Sequence, residues 1–246
     1  RCRSLPVEMT SEEKRIEQAA LEYAKKHRTE IARRLTDPAI FVPEANPVSV
    51  FMAGSPGAGK TEASIELLNL KAADGAKVLR IDPDELREEL PGYTGENSWL
   101  FQRAVIPIVE RIHDLALDQE QSFLLDGTLS SYSVAEKNIQ RSLRRGRTVQ
   151  ILYVYQEPQQ AWRFVQAREA AEGRRIQPED FVRQYFAARV VVNRLKAELG
   201  KCIQVDLLMK NNDGSHRFYR AGVDQIDNHI PEKYSLTDVR RMLGLN

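Results

Sequence analysis

Cysteine is nearly absent from this chain: Cys2 and Cys202 are the only two in 246 residues. Two are too few for a disulfide framework or a thiolate metal cluster. Such usage implies a reducing compartment, the cytoplasm. Charge of one sign is missing too. Lys and Arg number 36, Asp and Glu 35, and the net charge is +1. No electrostatic footprint for a nucleic acid or an anionic membrane stands out, and neither is expected as a partner. No apolar run approaches the roughly 20 residues of a membrane helix, and there is no internal repeat or low-complexity tract. What remains is an ordinary globular composition, 42% hydrophobic and 29% charged, long enough to bury a core. The chain starts at Arg1 rather than Met, the mark of a trimmed start, and a lost targeting segment stays open.

Hydrophobic periodicity divides the rest. Residues 10–35 read as an amphipathic helix, with Thr10 and Glu13 as a capping box and apolar residues at helical spacing. "TDPAIFVPEANP", with three prolines, reads as an extended linker. "VSVFMAG" is then a buried strand. After it, strands in "AKVLRID", "QSFLLDG", "TVQILYVY" and "CIQVDLLMK" alternate with helices over 96–118, 132–145, 158–171 and 178–199. An extra strand in "HRFYRAG" and a closing helix in "SLTDVRRML" follow. Alternation of this kind implies a parallel sheet with helices on both faces. The expected organisation is a helix and linker over 1–46, then an α/β domain over 47–246.

The strongest local signal is "GSPGAGKT". Gly54, Ser55, Pro56, Gly57, Ala58, Gly59, Lys60 and Thr61 satisfy the phosphate-binding pattern G-x-x-x-x-G-K-[ST] in full. The glycines let backbone N–H groups turn in around a polyphosphate. Lys60 would reach the β- and γ-phosphates of ATP, the Thr61 hydroxyl would ligate Mg²⁺, and the positive end of the helix dipole adds to the hold on the same anion. The motif follows an apolar strand and opens a helix, as that mechanism demands.

Two further strand ends carry acids. "RIDPDELREEL" places Asp82 and Asp84 at the carboxyl edge of the sheet, beside the loop. A carboxylate there can take the proton of an acceptor hydroxyl during phosphoryl transfer, the role read for Asp84. The alternative is a helix cap. In "FLLDGT", Asp126 stands where a carboxylate holds Mg²⁺ through water, or where Asp-Gly makes a turn. "RSLRRGR" at 141–147 reads as a solvated helix end. Arg168, Arg174 and Arg175 flank the break "EGRRIQP" between two helices, at about 165–178, as a closing helical lid requires. Exposed helix-end arginines are the alternative. His27, His113, His216 and His229 are scattered and receive no role.

In order and spacing, these motifs resemble the zeta toxin family of toxin–antitoxin systems, from the N-terminal helix to about residue 185. The resemblance implies a P-loop nucleoside-kinase-like fold. It also implies phosphorylation of the N-acetylglucosamine sugar of UDP-N-acetylglucosamine, which poisons cell-wall synthesis. By that match Asp84 falls on the catalytic base, and Glu110, sixteen residues before Asp126, on an acid lining the sugar pocket. "DGT" matches an acid-Gly-Thr signature that brings Thr128 to the acceptor side, and Arg168 and Arg175 fall on the two lid arginines. The chain departs in two places. The segment containing "PGYTGENSW" is shorter than in the family, and Asn138 stands where a hydroxyl-bearing residue is expected. A small helical antitoxin, bound over the ATP site, is the implied partner. Residues 10–35 are the toxin's own helix on this reading, rather than an inhibitory extension supplied in cis. Kinases of other nucleotide-type or polynucleotide hydroxyls remain alternatives, as does a nucleotide-dependent regulatory module.

Overall fold

The strand that precedes the phosphate-binding motif is apolar on both sides, and the sheet is built around it. Residues 9–73, 75, 77–173, 176–230 and 233–245 are described in a computed structural model. β1 (Val48–Ala53) alternates along its length: Phe51 and Ala53 enter one core, Val50 and Met52 another. Its neighbours are β3 (Phe123–Leu125) and β4 (Thr148–Tyr155), both parallel to it. β2 (Leu79–Ile81) lies outside β3, and β5 (Gln204–Lys210) outside β4. β6 (His216–Arg220) closes the six-stranded order β2-β3-β1-β4-β5-β6 and alone runs antiparallel. The five parallel strands therefore end at one edge, which receives Asp82, Asp126 and the loop after Ala53.

Helices cover both faces. α2 (Lys60–Ala73) packs Ala63, Leu67 and Leu68 on the smaller core. The larger core draws on α1 (Ser11–Leu35), α3 (Gln102–Asp118), α4 (Tyr132–Leu143), α5 (Pro158–Glu172), α6 (Pro178–Leu199) and α7 (Leu236–Met242). Phe51, fully buried between the Phe123 and His113 rings, is its anchor at the sheet. Truncating such a phenylalanine to alanine costs about 3–5 kcal/mol.

α1 begins with the expected capping box, Thr10 with Glu13. Small residues on its inner face, Ala20, Ala24 and Ala32, bring it close against α3. The linker behind it is less extended than its prolines suggest. Ile40 and Phe41 turn back onto the Asp37 carbonyl, and the Gln121 amide donates to Thr36 O (2.9 Å) and Phe41 O (2.8 Å). The helix expected from residue 96 starts as a 3₁₀ turn, Ser98–Phe101, and becomes α-helical only at Gln102. Asn97 explains the delay, because its side chain accepts from Thr94 N–H and donates to Gly92 O, holding a loop. The basic run 141–147 is only in part the solvated helix end expected: Arg144 and Arg145 are exposed, but its other two arginines are engaged. Arg147 is 5% exposed, donates to Ser49 Oγ (2.8 Å) and covers the Phe123 ring, while Arg141 pairs with Asp114. Among the described residues, no helix is long and apolar enough to cross a membrane.

Candidate active site

β1 delivers the chain into a loop that leaves no room for a side chain at Gly54 or Gly57. Gly57 has φ +70°, and a Cβ there would lie 2.0 Å from Ala161 O in the first turn of α5. Only glycine fits, so the loop seats directly on that helix. At its far end the first intrahelical bond of α2 runs from Ala63 N–H to Gly59 O (3.1 Å). The N–H groups of Lys60, Thr61 and Glu62 therefore precede the ladder, the arrangement that favours an anion. Lys60 folds onto the loop, its Nζ donating to Ser55 O (2.6 Å) and Gly54 O (3.1 Å). Burial pulls its ammonium down to about 8, opposed by Asp126 and Asp84 and reinforced by Arg168. These four groups thus share one electrostatic neighbourhood.

The acids occupy the adjoining strand ends. Asp82 Oδ1 accepts from Asp84 N–H (2.8 Å), the local turn that aspartate makes readily. Burial first, and Asp126 second, push the Asp82 carboxyl up to about 6. Asp84 heads the 3₁₀ turn Glu85–Glu89, yet its side chain makes no capping bond. Instead its oxygens face Arg87 Nη2 (3.0 Å) and, from α5, Arg168 Nη2 (4.0 Å). Capping-type duty falls to Asp82, leaving the Asp84 carboxylate turned to cations and 38% exposed. Arg174 and Arg175, the other arginines expected in a lid, lie outside the described residues.

Asp126 is 6% exposed, with Oδ2 accepting from Arg80 Nη2 (2.7 Å) and Ser64 Oγ (3.1 Å). Its Oδ1 has no described partner. Thr61, at the head of α2, is partly exposed. A hydroxyl and a carboxylate are hard oxygen donors that suit Mg²⁺. Among the described residues no group of three or more His, Cys, Asp or Glu could hold a metal. The pair fits an ion that takes its other ligands from phosphate and water, as Mg²⁺ does.

Arg80 escaped the sequence reading. It bridges Asp82, Asp126, Glu85 and Ser64 with its side chain 11% exposed, and so fixes the spacing of both strand-end acids. The available signal was a charge inside the apolar strand "VLRID". Lys210 was missed likewise, although it ends the apolar run "VDLLM".

The residues expected on the acceptor side are more dispersed. The Thr128 carbonyl accepts from Gly54 N–H (3.2 Å), tying it to the loop, while its hydroxyl pairs with Ser130. Glu110 lies eight residues into α3, some ~12 Å along it at 1.5 Å per residue. It is 55% exposed, reaches Lys137 of α4 (3.8 Å), and lines a groove of ≈ 550 Å³ with Leu21, Lys25, Arg28 and Arg103. Asn138 is half-buried on α4 next to Lys137. Neither is in described contact with Asp84, Asp126 or Lys60. The end of α5 does meet the acceptor-side loop, where Gly173 abuts Glu96.

No curated protein matches the sequence. Among solved structures, the chain is similar to one from the PezAT chromosomal toxin–antitoxin system of Streptococcus pneumoniae. The two are 18% identical, with a TM-score of 0.63 and coverage of 96% of this chain and 94% of that one. It is also similar to a chain of the AvrRxo1-ORF1:AvrRxo1-ORF2 complex with ATP, at 16% identity and TM-score 0.56, covering 89% and 72%. At such identities these likenesses attest the fold. The profile of the zeta toxin family matches residues 31–224. That span starts inside α1 and runs well beyond residue 185, where the resemblance of single motifs fades. It takes in the phosphate loop, both strand-end acids and Arg168 in their order, and by it the chain belongs to the zeta toxin family.

Proposed function

We propose that this protein is an ATP-dependent kinase and toxin that phosphorylates a hydroxyl of a nucleotide-sugar, UDP-N-acetylglucosamine. The observation that carries the reading is the Asp84 carboxylate, which caps nothing and faces Arg168 at the mouth of the phosphate loop. Its carboxylate would accept the acceptor hydroxyl's proton as that oxygen bonds to the γ-phosphorus and the bond to the β,γ-bridging oxygen breaks. ADP leaves with the bridging oxygen. Lys60 would move from the loop carbonyls to the phosphates, and Arg168 would neutralise charge on the group in transfer. Thr61 and Asp126 would hold Mg²⁺, which supplies further neutralisation of the phosphate oxygens. Arg175 is proposed as the second lid arginine, and Glu110, Thr128 and Asn138 as the acceptor side, with residues 91–98 shaping it. A helical antitoxin would block the ATP site.

The test is mass spectrometry of nucleotide-sugars after expression of the protein. A phosphate gained by UDP-N-acetylglucosamine is the expected result. Gain by a different nucleotide-type metabolite would correct the acceptor and keep the kinase. If no metabolite gains phosphate, the kinase reading falls.

A further inference from the structure

Lys210 ends β5 at the same sheet edge as the phosphate loop, and it is 5% exposed. The pairing with β6 shifts register between Met209 and Lys210, an irregularity of the kind that re-aims a side chain. The side chain is aimed at the loop. A Cβ built on Gly59, whose φ is +84°, would lie 3.3 Å from Lys210 Cε, 3.7 Å from Glu62 Oε2 and 3.8 Å from Lys210 Nζ. This contact places a second ammonium beside the N-terminal N–H groups of α2.

Among the described residues that ammonium has no hydrogen-bond or ion-pair partner. The nearest acids are Glu62 and Glu66, which act on it electrostatically without pairing. Glu66 is instead engaged by His216 Nε2 (2.9 Å). A buried cation left without a partner is destabilising, and proteins keep one chiefly where something else completes it. Lys60 differs, since the loop carbonyls already satisfy it. An ammonium on a residue that is 5% exposed, unpaired among the described residues and set beside the N-terminal N–H groups of α2 is placed to take an anion.

We propose that Lys210 is a second phosphate-binding lysine, contacting the phosphates that ATP and ADP share from the α2 side of the loop. The assignment rests on the nucleotide-binding reading above. It names a ligand that the loop motif does not contain, supplied by a strand some 150 residues later in the chain.

The experiment is titration calorimetry of wild type, Lys210→Met and Lys210→Gln with Mg²⁺–ATP and with ADP, together with melting curves of each protein with and without ligand. Removal of a charge-assisted phosphate contact should weaken both nucleotides by roughly ten- to a hundredfold. The ligand-free variants should melt at or above the wild-type temperature, because no described hydrogen bond or ion pair is lost with the ammonium. A purely structural lysine predicts the opposite, a ligand-free melting temperature several degrees lower, and that result overturns the assignment. Wild-type affinity in both variants overturns it too, while leaving nucleotide binding in place. If the wild type itself binds neither nucleotide, the reading on which the assignment rests falls, and the assignment with it.

Discussion

Around the phosphate loop, contacts among three strand ends fix both buried acids, Asp82 and Asp126, whereas Glu110 and Asn138 ride on the middle turns of α3 and α4. Arg80 alone joins Asp82, Asp126, Glu85 and Ser64, and Thr128 is tied to Gly54 through the backbone. Glu110, by contrast, is 55% exposed and among the described residues pairs only with Lys137 at 3.8 Å, an exposed pairing of small energetic weight. The difference is one of construction. Groups at the ends of paired strands are placed by the sheet itself, so donor-side chemistry comes with the fold. Groups on helix faces depend on helix packing and on the loop at 91–98, so on the proposed function the acceptor could change without disturbing phosphoryl transfer.

The contrast can be broken most severely from the donor side. Lys60→Ala should lower turnover by roughly 10²–10³, the loss typical of a group that stabilises charge in the transition state. The fold should survive, since Nζ bonds only to loop carbonyls. Full turnover at an unaltered melting temperature would remove Lys60 from the chemistry.

Arg168→Ala comes next, with an expected fall in kcat of roughly ten- to a hundredfold and little change in ATP affinity. Its guanidinium approaches Asp84 at only 4.0 Å before any closure. A change confined to the ATP dissociation constant would make it a ground-state contact instead.

Glu110→Gln sharpens the comparison on the other side. It should raise the KM for the acceptor roughly fivefold, as one hydrogen bond of about 1 kcal/mol would, and leave ATP binding alone. An effect on ATP affinity of the same size would mean that the two sides are not separate.

The smallest effect on catalysis belongs to the frame. Burial holds the His113 imidazole down to about 3, so the folded protein binds fewer protons there than the unfolded chain, whose histidine titrates near 6.5. His113 therefore contributes its full stability above about pH 6.5 and loses it as pH falls toward 3. His113→Phe should flatten melting temperature against pH in that window, with kcat unchanged at pH 7.5. An unaltered slope would mean that the imidazole is solvated.

Legibility in the sequence follows the same division. β4 is readable to the residue, because eight apolar-rich positions between Arg147 and Gln156 admit no other element. β2 and β3 are shorter than their apolar runs, since their ladder extends only from Leu79 opposite Phe123 to Ile81 opposite Leu125. The phosphate loop and the strand-end acids are visible because spacing along the chain sets their spacing in space. Arg80 and Lys210 are not. A charge in an apolar strand looks like an interruption until the facing strands supply its partners, and for Lys210 the described residues supply none. The role of Arg147 under the sheet is hidden for a similar reason, because its acceptors, Ser49 and Gln121, are remote in sequence.

The central claim is that Asp84 is a base and not a cap, and Asp84→Asn isolates it. Asparagine caps about as well as aspartate but cannot take a proton. The measurement is acceptor-dependent ADP release by wild type and variant at saturating Mg²⁺–ATP, with ATP affinity determined alongside. A drop of roughly 10²–10⁴ with affinity kept within a few-fold is the predicted result. Equal rates from the two proteins would contradict it and leave Asp84 a structural residue of the turn at 85–89.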